Sequence, residues 1–329
     1  MSSKPVPSLL LFNHQDTPTT PGNQAYPHSA QIISQVLSHI YQYPTNHATV
    51  LSKISQRLAE GDSSIENERI DDESATQFVK QFVRGTVEVE VKDLQPTPPS
   101  SGESEGRTCI LDKLVEAVEQ ASTRPELFRD FEEQDPALAF KTLLAITFYH
   151  EVTCAMRFVL FPKYSGRLGP CDKIQLSEDK TVDVEESGWA VEWLAIGGRL
   201  ALSISGKDFT GATRLVSASQ VRDIKDVFTV DNEYLVSFMS TLEANESPLP
   251  QLPPTESRSP IASQRSEYYA RLTTTDFFKK ASPLFIRPDE RLVGIGIAAR
   301  TDEDGKLVYT RRGCPRGVGL AASQASKGS

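Results

Sequence analysis

The sequence predicts a mainly helical α+β protein, built around one long buried helix and completed by a small antiparallel sheet. The stretch 136–161 follows an Asp-Pro pair and is apolar over most of its circumference, which is typical of a helix at the centre of a core. Amphipathic helical spacing recurs on its amino-terminal side, whereas the alternation of a strand is confined to short segments. These observations together indicate helices packed around 136–161, with strands in a minor role.

The first part of the chain is expected to be an arm followed by helices. Residues 1–27 combine five prolines with polar residues, a composition that favours a disordered arm. Residues 28–94 form a helical part that ends in a strand at 86–92, where Val and charged residues alternate. The helices of this part are predicted by apolar residues at helical spacing, namely Ile32, Ile33, Val36, Leu37 and Ile40, then Val50, Leu51, Ile54 and Leu58, then Phe78, Val79, Phe82 and Val83.

The remainder of the chain divides at segments rich in Pro, Ser and Gly. Residues 95–106 are predicted to be a linker, and 107–312 a central and C-terminal part built around the 136–161 helix. This part is interrupted by 247–266, which contains five prolines and is expected to be a disordered insertion. Residues 313–329 are expected to form a flexible tail.

A hairpin is predicted close to the end of the central and C-terminal part. The apolar segments 292–300 and 306–311 flank Asp304-Gly305, and an Asp-Gly pair between two such segments is a strong turn signal. The antiparallel sheet is therefore expected to include these residues.

Charge and cysteine content narrow the classes of partner. The 329 residues include 35 Lys and Arg against 44 Asp and Glu, for a net charge of −9. No basic excess is present to hold a phosphate backbone or an anionic membrane, so nucleic acid and membrane are not expected as partners. Apolar runs are all far shorter than a bilayer span, and four scattered cysteines do not form a disulfide framework. We expect reduced thiols and a cytoplasmic location.

The candidate chemistry lies on the buried helix, in the sequence His150-Glu151-Val152-Thr153-Cys154. Metallopeptidase helices place two zinc-binding histidines four residues apart, with a Glu after the first acting on water. Here Cys154 occupies the position of the second histidine, and a thiolate binds zinc well from a neighbouring helical position. The pattern predicts zinc ligands at His150 and Cys154, with Glu151 as the catalytic base.

A third ligand is expected from the segment about 36 residues further on. Glu186 shares a helical face with Trp189 and is the first candidate, and Glu192 is the second. Cys171 is a further alternative, and its use would give a closed site without room for a catalytic water. A thiolate donates more charge than an imidazole does and should weaken the metal as an acid.

The residues 148–200 resemble a known family. The sequences FYHEVTCAMRFVLFP and EESGWAVEWLAIGGRL are similar to those of an uncharacterised fungal family with a zincin-type HExxH helix, followed by a Gly-Glu-Ser-Gly turn and a Gly-Gly pair. The resemblance implies a zincin-like core, His150 and Glu186 as zinc ligands and Glu151 as the general base. Cys154 replaces the second histidine of the family's motif, so the motif is degenerate.

Two functional hypotheses follow. The first is a degenerate zincin-like protein, a metal-binding pseudoenzyme or a weak metallopeptidase that acts on a peptide or protein. The second is a protein-interaction scaffold that binds no metal and carries out no catalysis. In that case His150 is a hydrogen-bonded core histidine and Cys154 is a small buried apolar residue.

Overall fold

The architecture was analysed in a computed structural model of the full chain. It describes residues 9–12, 21–61, 69–84, 87–92, 108–129, 131, 134–161, 173–177, 180–183, 187–204, 212–218, 227–253, 268–270, 290–294, 297–301 and 307–311. The described part is α+β and mainly helical, as the sequence predicts.

Eight α-helices are present in the described residues, together with one turn of 3₁₀ helix at Pro125–Leu127. Their bounds are α1 Pro21–Ala25, α2 Pro27–Gln42, α3 Thr45–Gly61, α4 Asp72–Arg84, α5 Asp112–Thr123, α6 Pro136–Leu160, α7 Ser187–Ile196 and α8 Asn232–Glu243. The apolar spacing that predicts helices in the first 94 residues corresponds to α2, α3 and α4, whose inward faces carry those residues.

The central helix α6 is the long buried helix that the sequence predicts at 136–161. The Asp135 carboxylate accepts hydrogen bonds from the backbone N–H groups of Ala137 and Leu138, at 2.8 and 3.2 Å, and Pro136 occupies the first helical position. From Phe140 to Val152 most side chains of α6 are buried, because α2, α5, α7 and α8 pack around it. A helix surrounded in this way needs no polar face, which accounts for its nearly uniform apolar composition.

Despite the apolar character of α6, no bilayer-spanning segment is found. Within the described residues no helix has both the length and the apolar content needed to cross a membrane. Charged residues such as Lys141, Glu151 and Arg157 interrupt the apolar run of α6.

The described strands form four small sheets. Their bounds are β1 Leu9–Phe12, β2 Val87–Lys92, β3 Thr108–Leu111, β4 Lys173–Ser177, β5 Lys180–Asp183, β6 Arg199–Ile204, β7 Ala212–Ala218, β8 Val227–Thr229, β9 Tyr268–Ala270, β10 Glu290–Gly294, β11 Ile297–Thr301 and β12 Leu307–Arg311. The sheet orders are β1-β2-β3, β4-β5, β8-β7-β6-β9 and β10-β11-β12. All pairs are antiparallel except β2 with β3.

The strand predicted at 86–92 from its alternating pattern is confirmed as β2. Its central position in the sheet excludes the role of a free edge that could bind a substrate. A zincin-like interpretation of the sequence also predicts that this strand offers a free edge beside the metal helix, along which a peptide substrate would lie. The structure contradicts the suggestion, because β1 and β3 pair with the two edges of β2. Both partners lie far from β2 in sequence or across the linker, so local patterning could not reveal them.

The C-terminal hairpin is confirmed at the predicted position. Strands β11 and β12 pair from Ile297 with Arg311 to Thr301 with Leu307, and the Asp304-Gly305 pair falls in the connection between them, outside the described residues. The segment 292–300 contains parts of two strands rather than one, because β10 ends at Gly294 after a shift of register and β11 begins at Ile297.

Part of the segment expected to be a disordered insertion at 247–266 is packed against the core. The side chains of Leu249 and Leu252 are buried, and the backbone N–H of Leu252 donates to the carbonyl of Ile196 at 2.8 Å. The Gln251 amide donates to the carbonyl of Ala195 at 2.7 Å. These bonds satisfy carbonyl groups at the end of α7 that have no partner within the helix. Residues 254–266 lie outside the described part.

The sequence also predicts a disordered arm at 1–27, and two short elements occur in it. Strand β1 pairs with β2, and α1 precedes α2. Residues 1–8 and 13–20 of the arm, the 95–106 linker and the 313–329 tail lie outside the described residues, and Pro27 is the first residue of α2.

Candidate functional site

The candidate site lies where the middle of α6 faces the beginning of α7. His150 and Cys154 are one helical turn apart on α6, and Ser187, Gly188 and Glu192 belong to α7. The spacing of four residues from Gly188 to Glu192 places both on one face of α7, and this face is the one turned to His150. The two helices are packed directly against each other.

The central contact of the site joins the imidazole of His150 to the carboxylate of Glu192. Nδ1 of His150 lies 2.7 Å from Oε1 of Glu192, and both side chains are buried, at 4% and 0% exposure. Since a carboxylate oxygen accepts, Nδ1 carries the hydrogen and Nε2 is the remaining nitrogen of the ring. Two ligands of one tetrahedral zinc ion stand about 3.3 Å apart, so the 2.7 Å separation is that of a hydrogen bond.

Gly188 allows the His150 ring to sit directly against the backbone of α7. A Cβ atom at position 188 would lie 2.3 Å from Cδ2 and Cγ of His150. Any side chain at position 188 would therefore displace the His150 ring. The glycine is required because the ring lies directly against the backbone of α7.

An aromatic residue and a cation complete the packing around His150. The ring of Trp189 meets the imidazole edge to face, with 4.8 Å between centroids. The guanidinium carbon of Arg199, at the start of β6, lies 3.2 Å from the centroid of the Trp189 ring. Trp189 and Arg199 are both buried. The tryptophan ring contacts both the imidazole of His150 and the guanidinium of Arg199.

Cys154 lies at the outer side of this arrangement. Its side chain is partly exposed, and its thiol is free. Its Sγ lies 3.7 Å from Oγ of Ser187, the first residue of α7. The thiol therefore sits beside the first residue of α7.

The groups around His150 favour its protonated form. Burial alone lowers the pKa of His150, but the hydrogen bond and charge of Cys154 and the carboxylate of Glu192 outweigh burial and raise the pKa to about 10. The structure without metal therefore favours an imidazolium held between the thiol and the carboxylate.

The structure places four of the six sequence-predicted site residues, and it brings three of them together. His150, Cys154 and Glu192 form one cluster, and Glu151 is buried in α6 beside them at 9% exposure. Glu186 and Cys171 lie outside the described residues. Within the described part of the chain, no three His, Cys, Asp or Glu side chains are arranged to hold a metal ion.

Three contributors to the site are absent from the sequence-based prediction. Ser187 and Gly188 are recognisable afterwards as small residues at a helix start that faces the histidine. Arg199 gives no local signal, because its contact with Trp189 depends on the turn between α7 and β6.

No protein-family model, curated protein or solved structure matches this chain. The function is accordingly inferred from the residues of the site.

Proposed function

We propose that this site is a degenerate zincin-like metal centre, with His150 and Cys154 as zinc ligands and Glu186 as the third. The observation that carries the proposal is the buried hydrogen bond between Nδ1 of His150 and Glu192. Zinc-binding histidines commonly donate their second nitrogen to a carboxylate, which fixes the tautomer and increases the donor strength of the ring. We assign that orienting role to Glu192.

The donor set of the site agrees with zinc. A neutral Nε2 and a thiolate Sγ from positions four apart on one helix are donors that zinc prefers. Ser187 contacts Cys154 at 3.7 Å, and Glu186 is the residue that directly precedes Ser187 in the chain. The proposal therefore places an oxygen ligand beside the sulfur ligand.

The hydrolytic chemistry would be weak. A bound zinc ion would supply Lewis acidity, which a thiolate ligand reduces. Glu151 would accept a proton from water, and His150 would stay fixed through Glu192. The substrate would be a peptide or protein, and the family resemblance of residues 148–200 supports this class.

The decisive experiment measures the zinc content of the purified full-length chain after dialysis against zinc. We expect about one zinc ion per chain, lost in His150→Ala and Glu186→Gln and reduced in Cys154→Ser. Cys109→Ser, which removes a thiol of strand β3, serves as the matched control and should retain the metal. Cys154→His, which restores the second histidine, should bind zinc more tightly and gain peptide hydrolysis.

Two results would overturn the metal centre. Folded wild-type protein that takes up no zinc would remove it and would favour the interaction scaffold without metal. Zinc that is retained in His150→Ala would show that the metal binds elsewhere.

A second candidate function, thiol chemistry at Cys154, is favoured by the contacts of the same sulfur. Cys154 is partly exposed, hydrogen-bonded to His150 and backed by Glu192, which is the order nucleophile, base and orienting carboxylate found in thiol hydrolases. Alkylation by iodoacetamide tests it in metal-free protein. Modification of Cys154 that slows at least tenfold in His150→Gln would support this function, and equal rates would contradict it.

A further inference from the structure

His47, near the start of α3, is buried without a hydrogen-bond partner. Its side chain has 0% exposure, and neither ring nitrogen has a partner within hydrogen-bonding geometry. A buried polar group in this state is costly, and such a group calls for an explanation.

The surroundings of His47 join three helices. Its ring lies 5.2 Å from the ring of Tyr149 on α6, measured between centroids. The Tyr149 hydroxyl hydrogen-bonds to Nδ1 of His39 on α2, and Nε2 of His39 donates to the carbonyl of Glu246, beyond α8, at 2.8 Å. Because that carbonyl can only accept, Nε2 of His39 carries a hydrogen. Burial lowers the pKa of His39, which favours the neutral ring, so Nδ1 accepts from the Tyr149 hydroxyl.

Among the described residues, no carboxylate contributes to the pKa of His47. The groups that do are His39 from α2 and the Tyr149 backbone from α6. Burial, and to a smaller extent the neighbouring His39, lower the pKa of His47, the nearby Tyr149 backbone partly opposes them, and the resulting pKa is about 3. The folded state therefore excludes the protonated ring, whereas an opened state accepts it at ordinary values near 6.5.

We propose that His47, His39 and Tyr149 form an acid-sensitive latch, which on protonation of His47 separates α2 and the start of α3 from the Tyr149 side chain of α6. Tyr149 directly precedes His150 in α6, and α3 also packs against α7. Release of the latch would therefore loosen the packing of α3 against α7, the helix that carries Glu192.

The test is amide hydrogen exchange of the full chain between pH 7 and pH 4. The protein is stripped of metal with a chelator, so that protons do not act through a metal ligand. After correction for intrinsic exchange rates, we expect protection in α2 and α3 to fall about tenfold per pH unit below pH 6.5. Over the same range the amides of β6 and β7, which exchange only by global unfolding, should stay better protected than those of α2 and α3.

Variants show whether His47 is the group responsible. In His47→Phe the pH dependence of α2 and α3 protection should disappear. The control is His28→Phe, which removes a histidine at the start of α2 and should behave as the wild type. His47→Gln serves if the phenylalanine does not fit. Protection in α2 and α3 that matches that of β6 and β7 at every pH, or that keeps its pH dependence in the His47 variants, would overturn the latch.

Discussion

The Glu192 carboxylate accepts a hydrogen bond from Nδ1 of His150 across 2.7 Å, with both side chains buried. A buried ion pair is costly to form from solvated groups, but removing one partner leaves the other charge uncompensated. The pair therefore makes the orientation of the imidazole sensitive to a single substitution on α7.

Glu192→Gln tests this dependence. The amide oxygen can still accept from Nδ1, but the negative charge is lost, so the pKa of His150 should fall from its raised value. If the metal centre is correct, zinc affinity should drop about 10- to 100-fold, as for other carboxylates behind a histidine ligand. Isothermal titration with zinc measures the affinity. Glu243→Gln, an exposed position on α8, is the control and should leave it unchanged.

Gly188→Ala should destabilise the fold through a clash with His150. The added methyl carbon would lie 2.3 Å from ring atoms, and the displacement of packed side chains in such cases costs about 1–3 kcal/mol. Urea denaturation measures the loss. The same glycine substitution in a His150→Ala background should cost much less, since the clashing ring is gone. Equal costs in the two backgrounds would show that the ring is not what position 188 accommodates.

The parts of the fold that the sequence predicts are those encoded locally. Helix α6 follows from the Asp135-Pro136 cap and the apolar run after it, and both signals lie within a few turns. The central position of β2 depends on β1 and β3, so its alternating pattern predicts a strand without predicting its neighbours.

The same division applies to the candidate site. The pairing of His150 with Cys154 follows from helical periodicity, which fixes the spacing of side chains on α6. The role of Glu192 could not be assigned, because it depends on how α7 is rotated against α6. The contact of Arg199 with Trp189 is still harder to predict from sequence, because it forms only after the chain turns from α7 into β6.

The global stability should decrease in acid because of His47. Its folded pKa, about 3, is below the unfolded value of 6.5, so the unfolded state binds the proton first and the stabilising contribution is lost as pH falls from 6.5 towards 3. From pH 6.5 to 4.5 this group alone should remove about 2 kcal/mol from the free energy of unfolding. Urea denaturation at several pH values measures the slope. His47→Phe should flatten it, and an unchanged slope would assign the acid sensitivity to other groups.

Arg199 should contribute to the packing of Trp189 through its planar guanidinium. In Arg199→Met the stacking at 3.2 Å is lost, and we expect a decrease of about 0.5–2 kcal/mol in the free energy of unfolding. In a Trp193→Phe background Trp189 is the only tryptophan, because the chain contains two, so its emission reports on the site alone. The emission should shift to longer wavelength as the ring gains solvent.

Arg199→Lys separates charge from stacking, because lysine keeps the charge and lacks the planar group. If planarity matters, the lysine variant should resemble the methionine variant in stability and in Trp189 emission. If it resembles the wild type instead, positive charge near the ring is sufficient, and the guanidinium plane is not what holds Trp189 against His150.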